Sequence, residues 1–119
     1  MYQIHYLNKI SQQGTALWTE DFALNDDINA ADGVLVRSAN MHDMELPKNL
    51  LAIARAGAGV NNIPLTTCAD KGIVVFNTPG ANARSVMELT LCGMLLGSRD
   101  IIDGVNWVQS IQDQPDVAK

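Results

Sequence analysis

The fold is decided by the stretch Gly72-Ile73-Val74-Val75-Phe76, the clearest strand in the sequence. Its four consecutive apolar residues predict a strand that is buried on both faces, as in a parallel sheet. Asn77-Thr78-Pro79-Gly80 then ends the strand. A helix is predicted to begin at Asn82 or, through a capping box with Glu88, at Ser85. A strand that leads through a short loop into a helix is typical of parallel α/β sheets.

Shorter apolar runs precede this stretch, and helical segments separate some of them. The predicted strands cover residues 2–7, 22–24, 33–36 and 50–56, and the predicted short helices cover residues 11–18 and 66–71. Strands that alternate with helices predict a parallel sheet with right-handed crossovers. About five short strands fit a flavodoxin-like, doubly wound parallel sheet, in which ligands bind beyond the carboxyl ends of the strands.

The composition is that of a globular domain with an acidic balance. The chain has 119 residues, of which 47% are hydrophobic, and its formal net charge is −5. This balance argues against a basic nucleic-acid interface or a polybasic membrane patch. No signal peptide is evident at the start, and the apolar region 89–96 is far shorter than the roughly 20 residues of a membrane span. We expect a cytoplasmic protein that binds neither nucleic acid nor membranes, with Cys68 and Cys92 as buried, reduced thiols.

A long apolar crossover helix is predicted to run to Arg99 or Asp100, and a second helical stretch continues through Val108. Apolar side chains cover nearly the whole circumference of the long helix: Val86, Met87, Leu89, Leu91, Cys92, Met94, Leu95 and Leu96. Such a helix is buried all round, and a five-stranded sheet covers only one side of it. We therefore predict a homodimer through residues 85–99 and 101–108, or docking onto sequence outside the chain. The polar residues 112–119 read as a linker or a frayed end.

Three predicted loops fall at the carboxyl ends of the strands, over residues 37–40, 57–62 and 77–82. Gly57 and Gly59 begin a G-x-G pattern, but Asn62 stands at the third glycine position and no acidic residue follows about 20 positions later. The pattern therefore does not predict a dinucleotide site. The two glycines either form a tight turn or let backbone N–H groups approach an anion closely.

Cationic residues lie beside two of these loops. Arg37 either pairs with an acidic side chain on the surface or grips a phosphate or carboxylate, with the Ser38 hydroxyl as a further donor. Arg84 lies in the first turn of the long helix, where it opposes the helix dipole, although free N–H groups there favour an anion. Together these features predict an anionic ligand between Arg37, the loop 57–59 and the region of Asn82.

No catalytic machinery can be recognised in the chain. His5 and His42 have no metal-ligand spacing and no evident carboxylate partner, and the sequence has no nucleophile elbow and no P-loop. We predict no metal site and no catalytic residue.

Four segments carry a resemblance to a known family. They are Val34-Leu35-Val36-Arg37-Ser38 and the segments 55–63, 72–82 and 84–89. In this order they resemble the D-isomer-specific 2-hydroxyacid dehydrogenases, over about residues 1–110. The resemblance implies a substrate-binding (catalytic) domain at 1–98 and a crossover segment at 99–119. That segment leads toward a nucleotide-binding Rossmann domain that is absent. The family's catalytic arginine, glutamate and histidine match no residue of this chain, which is expected to be inactive alone.

The resemblance also implies roles for individual residues. The residues matching Arg37 and Ser38 help hold the phosphate or distal group of the substrate. Backbone N–H groups matching Ala58, Gly59 and Val60 hold the substrate carboxylate.

Further residues are implied to lie near the cleft. Asn82 is expected at the substrate, and Arg84, Ser85 and Val86 toward the cofactor. The implied ligands are 3-phosphoglycerate or a related 2-hydroxy acid, and NAD bound mainly by the absent domain. Asn61 departs from the family, which often has aspartate there. Two alternatives stay open, namely a stand-alone flavodoxin-like module that binds anions without catalysis, and a dimerisation module.

Overall fold

A computed structural model describes residues 1–115. The chain divides into two compact units, of which the first is Met1–Ala81 and the second begins at Asn82. The predicted boundary between residues 1–98 and 99–119 concerns the organisation of a longer protein and stays a prediction. Residues 116–119, the end of the predicted linker, lie outside the described residues.

The first unit is an α/β structure with a five-stranded parallel sheet, as predicted. Its strands are β1 (Tyr2–Tyr6), β2 (Phe22–Leu24), β3 (Gly33–Val36), β4 (Ala52–Arg55) and β5 (Val74–Phe76), in the order β2-β1-β3-β4-β5. All neighbouring strands pair in parallel. The order reverses between β1 and β3, which makes the carboxyl ends of these strands a topological switch point.

Short helical segments connect the strands. They are α1 (Gln12–Thr15), a 3-10 turn (Ile28–Ala30) and α2 (Leu65–Asp70). Ser11 caps α1 as predicted, and its hydroxyl accepts a hydrogen bond from the backbone N–H of Gln13 at 3.3 Å. The helix is shorter than predicted and ends at Thr15, consistent with the weak helix propensity of Gly14 inside it.

One face of the sheet carries the core. Val34 of β3 and Ile53 of β4 are in register and therefore point to the same side. Residues of the long β3–β4 connection and of α2 pack over them. The fully enclosed apolar cluster comprises Val34, Val36, Met41, Leu46, Leu50, Ile53, Ile63, Cys68 and Ile73. This cluster anchors the loops at the carboxyl ends of β3 and β4.

The opposite face of the sheet is largely exposed. Trp18, which follows α1, packs edge-on against Tyr6 with 5.7 Å between ring centroids. Val74 and Phe76 of β5 are 53% and 57% exposed. The prediction that this strand is buried on both faces is therefore wrong for the described residues. β5 is an edge strand, and alternate residues of its apolar run lie on the uncovered face.

The second unit contains α3 (Ala83–Ser98) and α4 (Ile101–Ile111). The two helices are separated at Asp100, which adopts the left-handed conformation with φ 55°. α3 begins within a turn of the predicted starts at Asn82 and Ser85, and α4 extends past Val108, to which the second helical stretch was predicted. The predicted long apolar helix, buried on all sides, is not found: α3 has 16 residues, several of them polar, and none is buried.

Two further expectations are settled in part by the described residues. Cys68 is buried but Cys92 of α3 is exposed, so the prediction of two buried thiols is wrong for Cys92. Among residues 1–115, no helix combines the length and apolar character needed to cross a membrane.

Candidate functional site

The loops that follow β3, β4 and β5 meet at the carboxyl edge of the sheet. Arg55, the last residue of β4, joins the first two of them. Its Nε donates a hydrogen bond to the carbonyl oxygen of Arg37 at 2.9 Å, and its Nη1 donates to the carbonyl oxygen of Gly59. One guanidinium therefore fixes the backbone of both loops that the sequence predicted to bind an anion.

The loop after β5 is bound to the same structure. The backbone N–H of Thr78 donates to the carbonyl oxygen of Gly57 at 3.0 Å. The side-chain amide of Asn77 donates to the carbonyl oxygen of Ala58 at 2.7 Å. Residues 57–59 are thus held through their carbonyl oxygens, which leaves their N–H groups facing away from these contacts.

A second set of hydrogen bonds connects the loop after β3 with the loop after β4. Asn62 Nδ2 donates to the carbonyl oxygen of Ala39 at 2.7 Å, and the backbone N–H of Met41 donates to the carbonyl oxygen of Asn62 at 2.9 Å. His42 Nε2 lies 2.9 Å from the carbonyl oxygen of Asn61. Since a carbonyl oxygen only accepts, His42 carries its proton on Nε2 in this contact. This histidine joins two loops rather than facing a carboxylate.

The backbone N–H groups predicted to bind a carboxylate have no competing partner. Within residues 1–115, those of Ala58, Gly59 and Val60 donate no hydrogen bond. Ala58 and Gly59 are exposed and Val60 is half-buried. Backbone N–H groups without a protein acceptor at the carboxyl edge of a parallel sheet are available to an anionic ligand. Anion binding by this loop is compatible with these contacts and stays a prediction.

Arg37 and Ser38 lie directly beside this loop, with exposed side chains. The Arg37 guanidinium makes no hydrogen bond to any of the residues that the structure describes. The interpretation of Arg37 as one half of a surface ion pair therefore has no support in this part of the chain. A guanidinium beside three free N–H groups is suited to a ligand with two anionic groups.

Gly59 is required by packing rather than by an unusual backbone conformation. A Cβ atom at this position would lie 2.9 Å from Arg55 Nη1 and 3.2 Å from Asn61 Oδ1. The Arg55 guanidinium thus lies against the backbone of Gly59, in the space that a side chain would need.

The described residues do not fit the pyrophosphate of a dinucleotide. No helix begins directly after Gly59, since α2 starts at Leu65 and has only six residues. Arg55 also fills the space beside Gly59 that a closely approaching pyrophosphate would use. The absence of a dinucleotide site at this loop stays a prediction.

The remaining predicted site residues belong to the second unit. Asn82 precedes α3 without a side-chain capping bond, and Arg84, Ser85 and Val86 lie in its first turn. Their predicted places at the substrate and cofactor stay predictions.

Two residues of the site were not singled out from the sequence. Arg55 is the last residue of β4 and Arg37 directly follows β3, and two arginines near the ends of neighbouring strands are a signal that the sequence contains. Asn8 follows β1, and its side-chain oxygen contacts the backbone N–H groups of Arg37, Ser38 and Ala39. No local pattern at Asn8 indicates this contact, because its partners lie about 30 residues away.

Two titratable groups of the first unit have shifted pKa values, and neither lies in the loops of the site. Burial raises the pKa of the Cys68 thiol, and the nearby Lys71 charge opposes this rise. Burial also raises the pKa of Tyr6, and a hydrogen bond with Thr15 opposes the rise.

The chain matches one enzyme family over nearly its whole length. The model of the D-isomer specific 2-hydroxyacid dehydrogenase catalytic domain matches residues 2–116, and the chain belongs to this family. The family resemblance inferred from the sequence is thereby confirmed.

Individual relatives are similar over most of the chain. It is 42% identical over 98 residues to a hydroxypyruvate reductase of Thermotoga maritima, covering 80% of the chain and 32% of that protein. It is 36% identical over 101 residues to a D-3-phosphoglycerate dehydrogenase of Methanocaldococcus jannaschii, covering 82% and 19%. The NAD+-bound 3-phosphoglycerate dehydrogenase of Entamoeba histolytica has a similar structure, with a TM-score of 0.65, 28% identity and coverage of 81% and 39%. The chain thus spans less than half of each of these proteins.

Proposed function

We propose that the chain is the substrate-binding part of an NAD-dependent D-3-phosphoglycerate dehydrogenase of serine biosynthesis. This enzyme oxidises 3-phosphoglycerate to 3-phosphohydroxypyruvate. The observation that carries the proposal is that, within residues 1–115, the N–H groups of Ala58, Gly59 and Val60 and the guanidinium of Arg37 make no hydrogen bond. 3-Phosphoglycerate has a carboxylate at one end and a phosphate at the other, which matches these two kinds of donor.

In this proposal the chain binds and orients the substrate. The N–H groups of residues 58–60 hold the carboxylate, and Arg37 with the Ser38 hydroxyl holds the phosphate. Asn82 lies at the substrate, while Arg84, Ser85 and Val86 face the cofactor. NAD would be held mainly by residues outside this chain and would supply the hydride acceptor for oxidation at C2. Orientation matters because the reacting atoms must come within about 3–3.5 Å of each other.

The comparisons support the proposal at the level of the family and of named relatives. A relative 36% identical to the chain is named as a D-3-phosphoglycerate dehydrogenase, and a similar structure carries NAD+. We further propose that the protein is cytoplasmic, that it forms a homodimer and that this chain alone is inactive.

Substitution of Arg37 tests the assignment of the phosphate group. In the complete protein, Arg37→Ala removes a charged hydrogen-bond donor worth roughly 1.5–3 kcal/mol, so KM for 3-phosphoglycerate should rise about 10- to 100-fold. Steady-state NADH formation measures this, with Lys48→Ala as the control because Lys48 is exposed on the β3–β4 connection. An unchanged KM in Arg37→Ala contradicts the role. The 119-residue chain, assayed alone, is expected to form no NADH.

A second candidate is reduction of hydroxypyruvate, favoured by the 42% identity to the Thermotoga maritima protein. Hydroxypyruvate has no phosphate, and so Arg37→Ala should then leave KM for the preferred substrate nearly unchanged. Comparison of kcat/KM for glycerate and 3-phosphoglycerate in the wild-type protein separates the two candidates. A preference for 3-phosphoglycerate supports the dehydrogenase, and the reverse supports the reductase.

A further inference from the structure

One side chain from the end of β1 holds the backbone of the whole segment after β3. Asn8 Oδ1 accepts hydrogen bonds from the backbone N–H groups of Arg37 at 2.8 Å, Ser38 at 2.9 Å and Ala39 at 3.1 Å. The partners are 29 to 31 residues from Asn8 in sequence. These bonds therefore connect two strand ends and are not a local turn.

The three N–H groups of the segment 37–39 point to one place, as in a backbone anion-binding site, and that place is already occupied. Three successive N–H groups that converge on one point bind an anion or a polar oxygen, because buried or partly buried donors without a partner are costly. The Asn8 oxygen occupies that point. The segment therefore offers a ligand the side chains of Arg37 and Ser38, whereas residues 58–60 offer their backbone.

The position of Asn8 is itself fixed by the sheet. The N–H of Leu7 donates to the carbonyl oxygen of Leu35 at 3.0 Å, which continues the β1–β3 pairing up to the residue before Asn8. From the other side, Arg55 Nε holds the carbonyl oxygen of Arg37, and Asn62 Nδ2 holds that of Ala39. The carbonyl oxygens of Arg37 and Ala39 are thus held by Arg55 and Asn62, and the N–H groups of residues 37–39 are held by Asn8.

We propose that Asn8 is a positioning residue for the distal anion of the substrate. It fixes the backbone from which Arg37 and Ser38 project and does not touch the substrate itself. As an amide, it accepts three hydrogen bonds without bringing a negative charge to the Arg37 segment. This inference rests on the proposed function, because it names the residue that shapes the phosphate-binding half of that site.

The test combines hydrogen exchange with kinetics on the complete protein. In the wild type, the amides of residues 37–39 should exchange slowly even without substrate. Asn8→Ala should expose them to exchange and raise KM for 3-phosphoglycerate about ten-fold with kcat nearly unchanged, since binding rather than chemistry depends on this segment. Asn8→Asp keeps an acceptor and should restore slow exchange, whereas KM should stay raised because its carboxylate brings a negative charge to the Arg37 segment. Asn29→Ala is the matched control, because Asn29 bonds only within its own exposed turn.

Several results overturn the proposal. Fast hydrogen exchange of the amides of residues 37–39 in the wild type would show that their hydrogen bonds to Asn8 do not persist in solution. This result does not depend on whether any variant folds. An Asn8→Ala protein with exposed amides and an unchanged KM shows that the segment does not depend on Asn8 for binding. Exchange of residues 37–39 that is as fast in Asn8→Asp as in Asn8→Ala excludes the role of the acceptor oxygen. If the wild type oxidises no 2-hydroxy acid, the proposed function fails, and the exchange rates still decide whether Asn8 holds the segment.

Discussion

A side chain at position 59 would contact the end of the Arg55 side chain. A Cβ atom added there would lie 2.9 Å from Arg55 Nη1, which is shorter than any ordinary contact, so Gly59→Ala should displace the guanidinium. The hydrogen bonds from Arg55 to Gly59 and Arg37 would then be weakened together. Because the guanidinium is the end of a flexible side chain and can shift, we expect a loss of about 1 kcal/mol or less in the free energy of unfolding and a higher KM for the substrate.

Gly14→Ala is the matched control for Gly59→Ala. A Cβ at Gly14 meets nothing within 4 Å, and the residue lies inside α1. Alanine should therefore be neutral or stabilise the protein by up to about 1 kcal/mol. Urea unfolding of both variants measures the difference. Equal stabilities would show that Arg55 is not held against Gly59 in solution.

The buried thiol of Cys68 predicts a loss of stability at alkaline pH. Its pKa is raised in the folded protein because burial penalises the thiolate. The folded state thus holds the proton more tightly than the unfolded state. The stabilisation is complete below the ordinary pKa of the thiol and is lost as the pH rises through the raised value. Urea midpoints at increasing alkaline pH should fall less steeply for Cys68→Ala than for the wild type, and parallel curves would exclude this origin.

Among the elements, the strands could be predicted because their apolar runs are bounded by breakers. The run 33–36 ends at Arg37, and Asn77-Thr78-Pro79-Gly80 follows β5. The burial of β5 could not be predicted, because the same run of β-branched residues suits a central strand or an edge strand. Edge position depends on pairing order, which no local pattern contains.

For the site, too, the sequence predicts the position of the loops but not the contacts that hold them. The ends of β3 and β4 mark the segments around Arg37 and Gly59, because ligands bind at that edge of parallel sheets. The contacts of Arg55 and Asn8 are between segments distant in sequence, and only the fold brings them together. The sequence therefore predicts which loops form the proposed anion site, and the structure shows what holds those loops in place.

The two faces of the sheet should respond very differently to the same substitution. Val34 is buried at 1% exposure, whereas Val74 is 53% exposed on the opposite face. Val34→Ala should cost about 2 kcal/mol of unfolding free energy, from lost burial and the cavity left behind. Val74→Ala should cost well under about 1 kcal/mol in this chain. Chemical denaturation measures both, and a comparable cost at Val74 would mean that the outer face is covered in solution.

At the scale of the whole molecule, the exposed apolar side chains are concentrated in two places. One is the outer face of the sheet, and the other is the helical unit. Leu89 of α3 is 73% exposed and Trp107 of α4 is 62% exposed. Large exposed apolar patches of this kind mark interaction surfaces. The proposed homodimer would bury the second of them through residues 85–99 and 101–108.

A charge placed on this helical surface should therefore disrupt association. Leu95 of α3 is 60% exposed in the single chain, and Leu95→Asp would place a carboxylate inside the proposed interface, where desolvation of an unpaired charge is costly. Sedimentation of the wild type should show a dimer, and Leu95→Asp should shift it to monomer at the same concentration. Leu17→Asp serves as the control, since Leu17 is 83% exposed outside both helices and should leave the dimer intact. A wild type that is monomeric at high micromolar concentration, or a Leu95→Asp protein that remains dimeric, would contradict an interface through α3, and the apolar surface would then have to be covered by another part of the protein.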